Sequence, residues 1–322
     1  MPYLIGTDEA GYAPRLGPLV ISAAAFWVDD LAAGDELYRR LKAVVCKAPT
    51  RGSRPQRRLA IADSKALYSP SLGLHWLERG VLAALGLTNR CPADWLDIWQ
   101  MLDPGAIARL PVMPWHADYD LRLPVAADAE DLARLVPALC RGLERANVRL
   151  VALASRAVFP DEFNRANDHW GNKSETLSKT TLALLADVLA RCSGEPVRIV
   201  CDKHGGRNFY GRLLQEQFPE PLIEVHAEGL QESVYRWGPA ETRIEARFRA
   251  GGEAFLPAAL ASMTSKYLRE LSMRAFNEFW CGHVSDLAPT AGYPTDANRF
   301  RDAVREKQLA LGIDDQIMWR AR

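Results

Sequence analysis

Lysine is scarce in this 322-residue sequence, where eight lysines and 32 arginines make up the 40 basic residues. A bias of that kind marks the coding genome rather than a fold, but it makes the place of each lysine informative. Net charge is absent as well: 40 acidic residues balance the basic ones. That excludes a protein that holds nucleic acid by bulk basicity, and leaves open a local basic groove, because a sum says nothing about placement. No apolar run reaches the roughly 18 residues that a membrane helix needs, so no membrane partner is expected. The six cysteines show no CxxC pair and no His/Cys ligand spacing, which argues against a zinc site or a disulfide framework. Free thiols in a reducing, cytoplasmic setting are expected. The first eight residues carry no basic segment ahead of their apolar stretch, so a secretory signal is not expected. No internal repeat or low-complexity tract is present, and 48% hydrophobic with 25% charged residues excludes wholesale disorder.

What is there reads as an α/β protein. Apolar runs at 3–7 and 18–28, separated by a Gly/Pro turn, predict paired strands. Residues 148–157 and 197–201 read as further strands, with shorter ones near 222–225 and 243–248. Helical spacing predicts helices over 35–45, 175–192 and 257–280, and a last one capped by Thr295 or Asp296. Residues 48–58 form an arginine-rich loop. From 71 to 147 helical stretches alternate with proline breaks and tryptophans, which suggests a mostly helical insertion. Trp95 and Trp99, at helical spacing, read as its small core. A length that suggests two domains of about 150 residues is then better divided into one core, 1–70 with 148–322, interrupted by 71–147. Strand pairs followed by strand–helix alternation predict a layered core, a mixed sheet flanked by helices.

Chemistry is expected where strands run out. Asp8 and Glu9 close the first strand and Asp202 closes a later one, each near glycine. Such acids read either as turn and cap residues or as one acidic cluster, whose mutual repulsion a divalent cation would relieve. Oxygen-only donors would favour Mg²⁺ or Mn²⁺. Lys266 and Glu270, four apart on the long helix, read as a surface pair unless something else recruits them. His204, alone in its loop, reads as solvated.

Five ordered segments carry a resemblance. Gly6-Thr7-Asp8-Glu9-Ala10-Gly11, with Leu16-Gly17-Pro18-Leu19-Val20 after it, resembles the opening strand of type 2 ribonucleases H (ribonuclease HII). Ala62-Asp63-Ser64-Lys65 resembles that family's Asp-Ser-Lys motif. Asp202 falls where the family has its third acid. Residues 261–270, Ala-Ser-Met-Thr-Ser-Lys-Tyr-Leu-Arg-Glu, resemble its Ala-Ser-x-x-x-Lys-x-x-Arg-Asp helix, and Gly292-Tyr293-Pro294-Thr295 matches its Gly-Tyr-(Pro/Gly)-Thr motif. Together these cover about half the chain, from its first residues to its last.

The resemblance implies a ribonuclease H-like fold and a metal-dependent endonuclease acting on RNA–DNA hybrids or on ribonucleotides in duplex DNA, with 5′-phosphate and 3′-hydroxyl products. Asp8, Glu9, Asp202 and Glu270 would be the catalytic, metal-binding carboxylates, holding two Mg²⁺ or Mn²⁺ ions. Tyr293 would stack on a sugar beside the cleavage point. Lys65, Lys266 and Arg269 would face phosphates, and Lys203 and Arg207 would flank a Gly205-Gly206 phosphate cradle. Two departures stand out. The family's basic Gly-Arg-Gly or Gly-Lys-Gly, which reads the ribose 2′-hydroxyl, is replaced by Gly11-Tyr12-Ala13 with Arg15 close behind, and the fourth acid is Glu270 instead of Asp. They suggest a divergent branch. A monomer is expected; a nuclease with another nucleic-acid substrate, or a non-catalytic nucleic-acid-binding protein on the same fold, are the rival expectations.

Overall fold

The first two apolar runs pair antiparallel as β1 (Tyr3–Ala10) and β2 (Leu19–Val28), in register from Tyr3↔Trp27 to Ala10↔Val20. The structure, a computed structural model, describes residues 2–30, 36–49, 56–88, 90–192 and 194–321. The arginine-rich loop read at 48–58 therefore lies largely outside the described residues. The period-2 alternation of β1 and β2 feeds two cores. Leu4, Val20, Ala24 and Phe26 face one side of the sheet, while Tyr3, Ile5, Leu19 and Ile21 face the other. Burying a side chain of this size is worth roughly 1.5–3 kcal/mol, so register is strongly specified.

Two short strands, β3 (Val45–Cys46) and β4 (Leu59–Ala60), form a separate parallel pair. The main sheet continues with β5 (Val148–Val158), β6 (Val197–Asp202), β7 (Glu224–Ala227), β8 (Glu232–Trp237) and β9 (Ile244–Arg249). Its seven strands run in the order β5-β2-β1-β6-β9-β8-β7, with β1, β6 and β9 parallel to one another. This is the mixed sheet flanked by helices that the sequence leads one to expect. Strand β8 is not among the strands read from the sequence. Its charged Glu232 and Arg236 interrupt the apolar signal, although Val234, Tyr235 and Trp237 are buried.

Short helices α1 (Leu37–Arg40) and α2 (Ser64–Leu67) precede α3 (His75–Gly86), α4 (Trp95–Leu102), α5 (Pro114–Ala117) and α6 (Ala129–Arg145). Trp95 and Trp99 are fully buried and meet edge to face, their centroids 5.4 Å apart. Helices α7 (Pro160–Trp170), α8 (Lys173–Leu189) and α9 (Gly211–Gln217) follow, and residues of all three pack into the Tyr3/Ile5 core. The 28-residue α10 (Leu256–His283) packs into the other, together with α3–α6. Helix α11 (Pro294–Ala310) begins at Pro294, ahead of the expected Thr295 or Asp296 cap, and a short α12 (Asp315–Met318) closes the described chain. Among the described residues no helix is long and apolar enough to cross a membrane.

One close approach sets the site. The start of α10 lies directly on β1 at Gly6, where a Cβ would come within 2.0 Å of the Ala258 nitrogen. Only glycine lets helix and strand meet there, and that contact brings the small-residue face of α10 over Asp8.

Candidate active site

Parallel pairing carries two of the acids to one place. Thr7 lies opposite Cys201 in the β1–β6 ladder, so the next residues, Asp8 and Asp202, lie at the same end of the two strands. Strand β1 extends through Ala10, which puts Asp8 and Glu9 on the ladder itself, with Ser22 and Ile21 opposite them on β2. From α10, Ser265 donates to the Asp8 carbonyl at 2.9 Å and is hydrogen-bonded to Ser22 at 2.8 Å. Ser262, one turn earlier, hydrogen-bonds the Asp8 carboxyl. It also lies 3.1 Å from the Ser64 hydroxyl and 3.5 Å from Asp63, the N-cap of α2. The Asp-Ser-Lys segment is thereby docked beside the strand-end acids.

The electrostatics follow. Burial, with Asp202 and Asp63 adding to it against the Ser262 hydrogen bond, pushes the Asp8 carboxyl up to about 7. Burial first, then Asp8 and Asp202, pushes Glu9 up to about 8, opposed by the Lys65 ammonium. Both side chains keep some solvent exposure, so the raised values reflect burial first and like charge second. Asp63 belongs to this group although sequence reasoning assigned it no role; its place in the Asp-Ser-Lys motif was the available signal. Among the described residues, no three His, Cys, Asp or Glu side chains already converge as an ion cage.

Glu270 is placed differently from the expected fourth ligand. It accepts from the Tyr68 hydroxyl at 2.6 Å and from the Lys266 ammonium at 2.5 Å, and that ammonium sits 4.5 Å from the Tyr68 ring centre. Burial and this carboxylate hold the Tyr68 hydroxyl well above its usual range. Tyr293 stands at the cap position of α11 with 46% of its surface exposed, free to meet a flat partner. Lys65 is exposed.

Three expected phosphate contacts are otherwise engaged. Arg269 is only 3% exposed and donates to the carbonyls of Leu16, Pro18 and Ala291, so it faces the protein interior rather than a phosphate. Lys203 is held by Asn208 at 2.5 Å and by the Gly229 carbonyl. Arg207 bonds Glu175 at 2.8 Å. His204, expected to be solvated, is buried with Nδ1 3.1 Å from the Ser178 hydroxyl, and burial pushes its pKa down to about 3.

The loop after the acids has its own geometry. Gly11 adopts φ +91°, and a Cβ there would lie 2.5 Å from the Pro18 carbonyl, which makes glycine obligatory. Tyr12 packs its hydroxyl against Gly205, with the Lys173 ammonium 4.9 Å from its ring centre. Burial and the nearby Glu9 raise the Tyr12 pKa. Arg15 donates its amide to the Gly292 carbonyl and accepts from the Arg320 amide, tying the loop to the segment before Tyr293. Arg320 was not singled out in the sequence, and no local signal marks it.

Fold and site together define an α/β protein with an acidic cluster at the end of adjacent parallel strands. The sequence matches no protein-family model and no curated protein. Among solved structures it is similar to the RNase HII of Archaeoglobus fulgidus, described in complex with PCNA, at 16% identity and TM-score 0.44, covering 99% of this chain and 94% of that one. It is similar to the ribonuclease H2 of Pyrococcus horikoshii at 15% identity and TM-score 0.43, covering 98% and 92%. A third is Bst-RNase HIII in complex with Mn²⁺, at 13% identity and TM-score 0.42, covering 99% and 66%.

Proposed function

We propose that the protein is a divalent-metal-dependent endonuclease that hydrolyses the RNA strand of RNA–DNA hybrids, or a ribonucleotide within duplex DNA, leaving 5′-phosphate and 3′-hydroxyl ends. The observation that carries this reading is the crowding of Asp8, Glu9 and Asp202 at one end of β1 and β6, beside Asp63 and Lys65. Carboxylates that raise one another's pKa call for counter-charge, and an oxygen-only donor set suits Mg²⁺ or Mn²⁺. The residues therefore fit such ions, with Asp8, Glu9 and Asp202 holding them and Glu270 joining once it leaves Tyr68 and Lys266. Bound divalent ions supply activation of water and neutralisation of charge at the leaving 3′ oxygen.

The chain's own groups divide the remaining work. Ser262 and Ser265 fix Asp8 by its side chain and its carbonyl, so the acid is oriented before substrate arrives. Lys65 and Lys266 place positive charge on the rim, where a phosphate would otherwise meet only carboxylates. Tyr293 offers an exposed ring to a sugar. Residues 71–147 are read as an insertion into the catalytic core formed by 1–70 and 148–322.

The test is a labelled duplex with one ribonucleotide, incubated with the protein and Mg²⁺ or Mn²⁺. Cleavage with the stated ends, lost in Asp8→Asn, is expected; no cleavage with either ion overturns the proposal. One observation favours a second substrate within the same class. The position where the family reads the ribose is occupied by Tyr12, half-buried beneath Lys173. Equal cutting of all-DNA and hybrid duplexes would support that alternative. A calorimetric titration that finds no Mg²⁺ binding would instead favour a non-catalytic binding protein.

A further inference from the structure

Residues 11–18 contain one basic side chain, Arg15, yet two guanidinium groups lie beneath them. Arg320, 5% exposed, donates to the carbonyls of Gly11 and Tyr12, the latter at 2.9 Å. Arg269, 3% exposed, donates to the carbonyls of Leu16 and Pro18 at 3.2 and 3.1 Å. Among the described residues neither guanidinium forms an ion pair with a carboxylate, and Arg320 stacks 4.2 Å from the Phe163 ring centre. Glu270 offsets part of the Arg269 charge, but among the described residues no carboxylate bears on Arg320, so the surface above Arg320 becomes attractive to an anion.

Peptide geometry gives that surface its donors. In a trans peptide the carbonyl and the following amide point in opposite directions. With the Gly11 and Tyr12 carbonyls drawn inward by Arg320, the amides of Tyr12 and Ala13 point outward. Neither amide donates to any group among the described residues, and Ala13 is exposed. Two successive outward amides above a buried positive charge give donors and charge suited to an anion.

Arg320 is itself held in place. Its amide donates to the Arg15 carbonyl at 2.9 Å, and Leu16 bridges Trp319. Asn164 on α7 accepts from the Ala321 amide at 2.6 Å and donates to the Trp319 carbonyl at 2.7 Å. Burial first, then the charge of Arg269, pulls the Arg320 guanidinium down to about 9, which still leaves it cationic at neutral pH.

We infer that Arg320 turns the Gly11–Tyr12–Ala13 backbone into a phosphodiester-binding platform, so that positive charge reaches the substrate from beneath the loop instead of from a basic side chain within it. The inference rests on the nuclease reading above, in that a nucleic-acid phosphate is the anion bound. Arg320 acts through the loop and is a positioning residue.

The experiment compares the full-length wild type with Arg320→Gln, Arg320→Lys, Ala13→Glu and Ala13→Gln. Binding is read by fluorescence anisotropy on a fluorescein-labelled duplex with one ribonucleotide, in Ca²⁺ to withhold cleavage. Steady-state cleavage is read in Mg²⁺ or Mn²⁺. Loss of one charge-assisted contact predicts about a tenfold rise in Kd and KM for Arg320→Gln, with kcat within about threefold and Arg320→Lys within about threefold of wild type throughout. Ala13→Glu should weaken binding about tenfold relative to Ala13→Gln, since like charge then sits on the platform. This pair is exposed and keeps the test sharp if Arg320→Gln does not fold. Equal binding by the Glu and Gln variants at 13, or by Lys and Gln at 320, overturns the platform even if the wild type cleaves. A wild type that binds but does not cleave overturns the nuclease reading, and the order of the four affinities still decides the platform. A wild type that does not bind the duplex overturns both.

Discussion

Removing the Asp8 charge should stabilise the ion-free protein at pH 8 and make no difference at pH 4. In the fold the Asp8 carboxyl ionises near 7 because it is buried against Asp202 and Asp63, whereas in the unfolded chain it ionises at its ordinary value of 3.8. Below about pH 4 the carboxyl is protonated in both states and costs nothing. Between about 4 and 7 the folded state holds the extra proton, so stability falls as pH rises, and above 7 the full cost is present. The interval corresponds to about 4 kcal/mol at 1.36 kcal/mol per pKa unit. Because the side chain keeps partial exposure, about half of that, ~2 kcal/mol, is the expected gain for Asp8→Asn. Glu9 adds to the effect, since Asp8 is the leading charge raising it. At about 2.1 cal/mol/K per residue over 322 residues, ~2 kcal/mol corresponds to roughly 3 °C in Tm. The assay is differential scanning fluorimetry in EDTA from pH 4 to 8.5, repeated with Mg²⁺, where the wild type should recover most of the difference. An Asn variant that is less stable at pH 8, or a difference independent of pH, would refute the reasoning.

Three other outcomes test particular contacts. Glu78 on α3 is fully buried and accepts from the amides of Val125, Ala126 and Ala127 and from the Tyr267 hydroxyl at 2.5–2.7 Å; Glu78→Gln turns a donor toward that set and should cost about 2–3 kcal/mol in urea unfolding. Gly6→Ala pushes a methyl into the Ala258 backbone and should cost at least ~3 kcal/mol or prevent folding, seen as loss of soluble protein or of the cooperative transition. Tyr293→Ala removes an exposed ring, so its Tm should stay within about 1 °C of wild type while KM for a ribonucleotide-containing duplex rises several-fold.

The parts that were legible in the sequence are those whose signal is local. Strands β1 and β2 follow from their continuous apolar runs, because both faces of the sheet bury their residues. Helix α10 was visible as helical spacing over 257–280, and Asp8 and Asp202 stood out because carboxylates at the ends of apolar strands need a reason. What was not legible depends on distant chain. Arg269 lies in a helix whose pattern suits a phosphate contact, but the return of residues 16–18 and 291 over it makes it an interior donor. Glu270 is diverted by Tyr68, 202 residues away. Arg320 reaches Gly11 across 309 residues, with nothing in its neighbourhood to announce a role.

These distant contacts also resolve the tension between zero net charge and the anionic substrate proposed above. The charge that matters is the charge left unpaired at the right place, and the arginines divide sharply on that count. Arg207 and Arg212 are spent on Glu175, Arg236 and Arg247 on Glu245, and Arg109 on Asp103 and Glu162. Pairs of this kind contribute little field at a distance. Arg269 and Arg320 instead bond only carbonyls and sit in low dielectric beneath the loop that follows the acids. If Asp8, Glu9 and Asp202 hold ions as proposed, they would repel phosphate until those ions arrive, and a separate positive surface beside them would give the substrate somewhere to bind first. Affinity built in the proposed way should depend weakly on bulk charge and strongly on added Mg²⁺ or Mn²⁺ and on the guanidinium beneath Gly11.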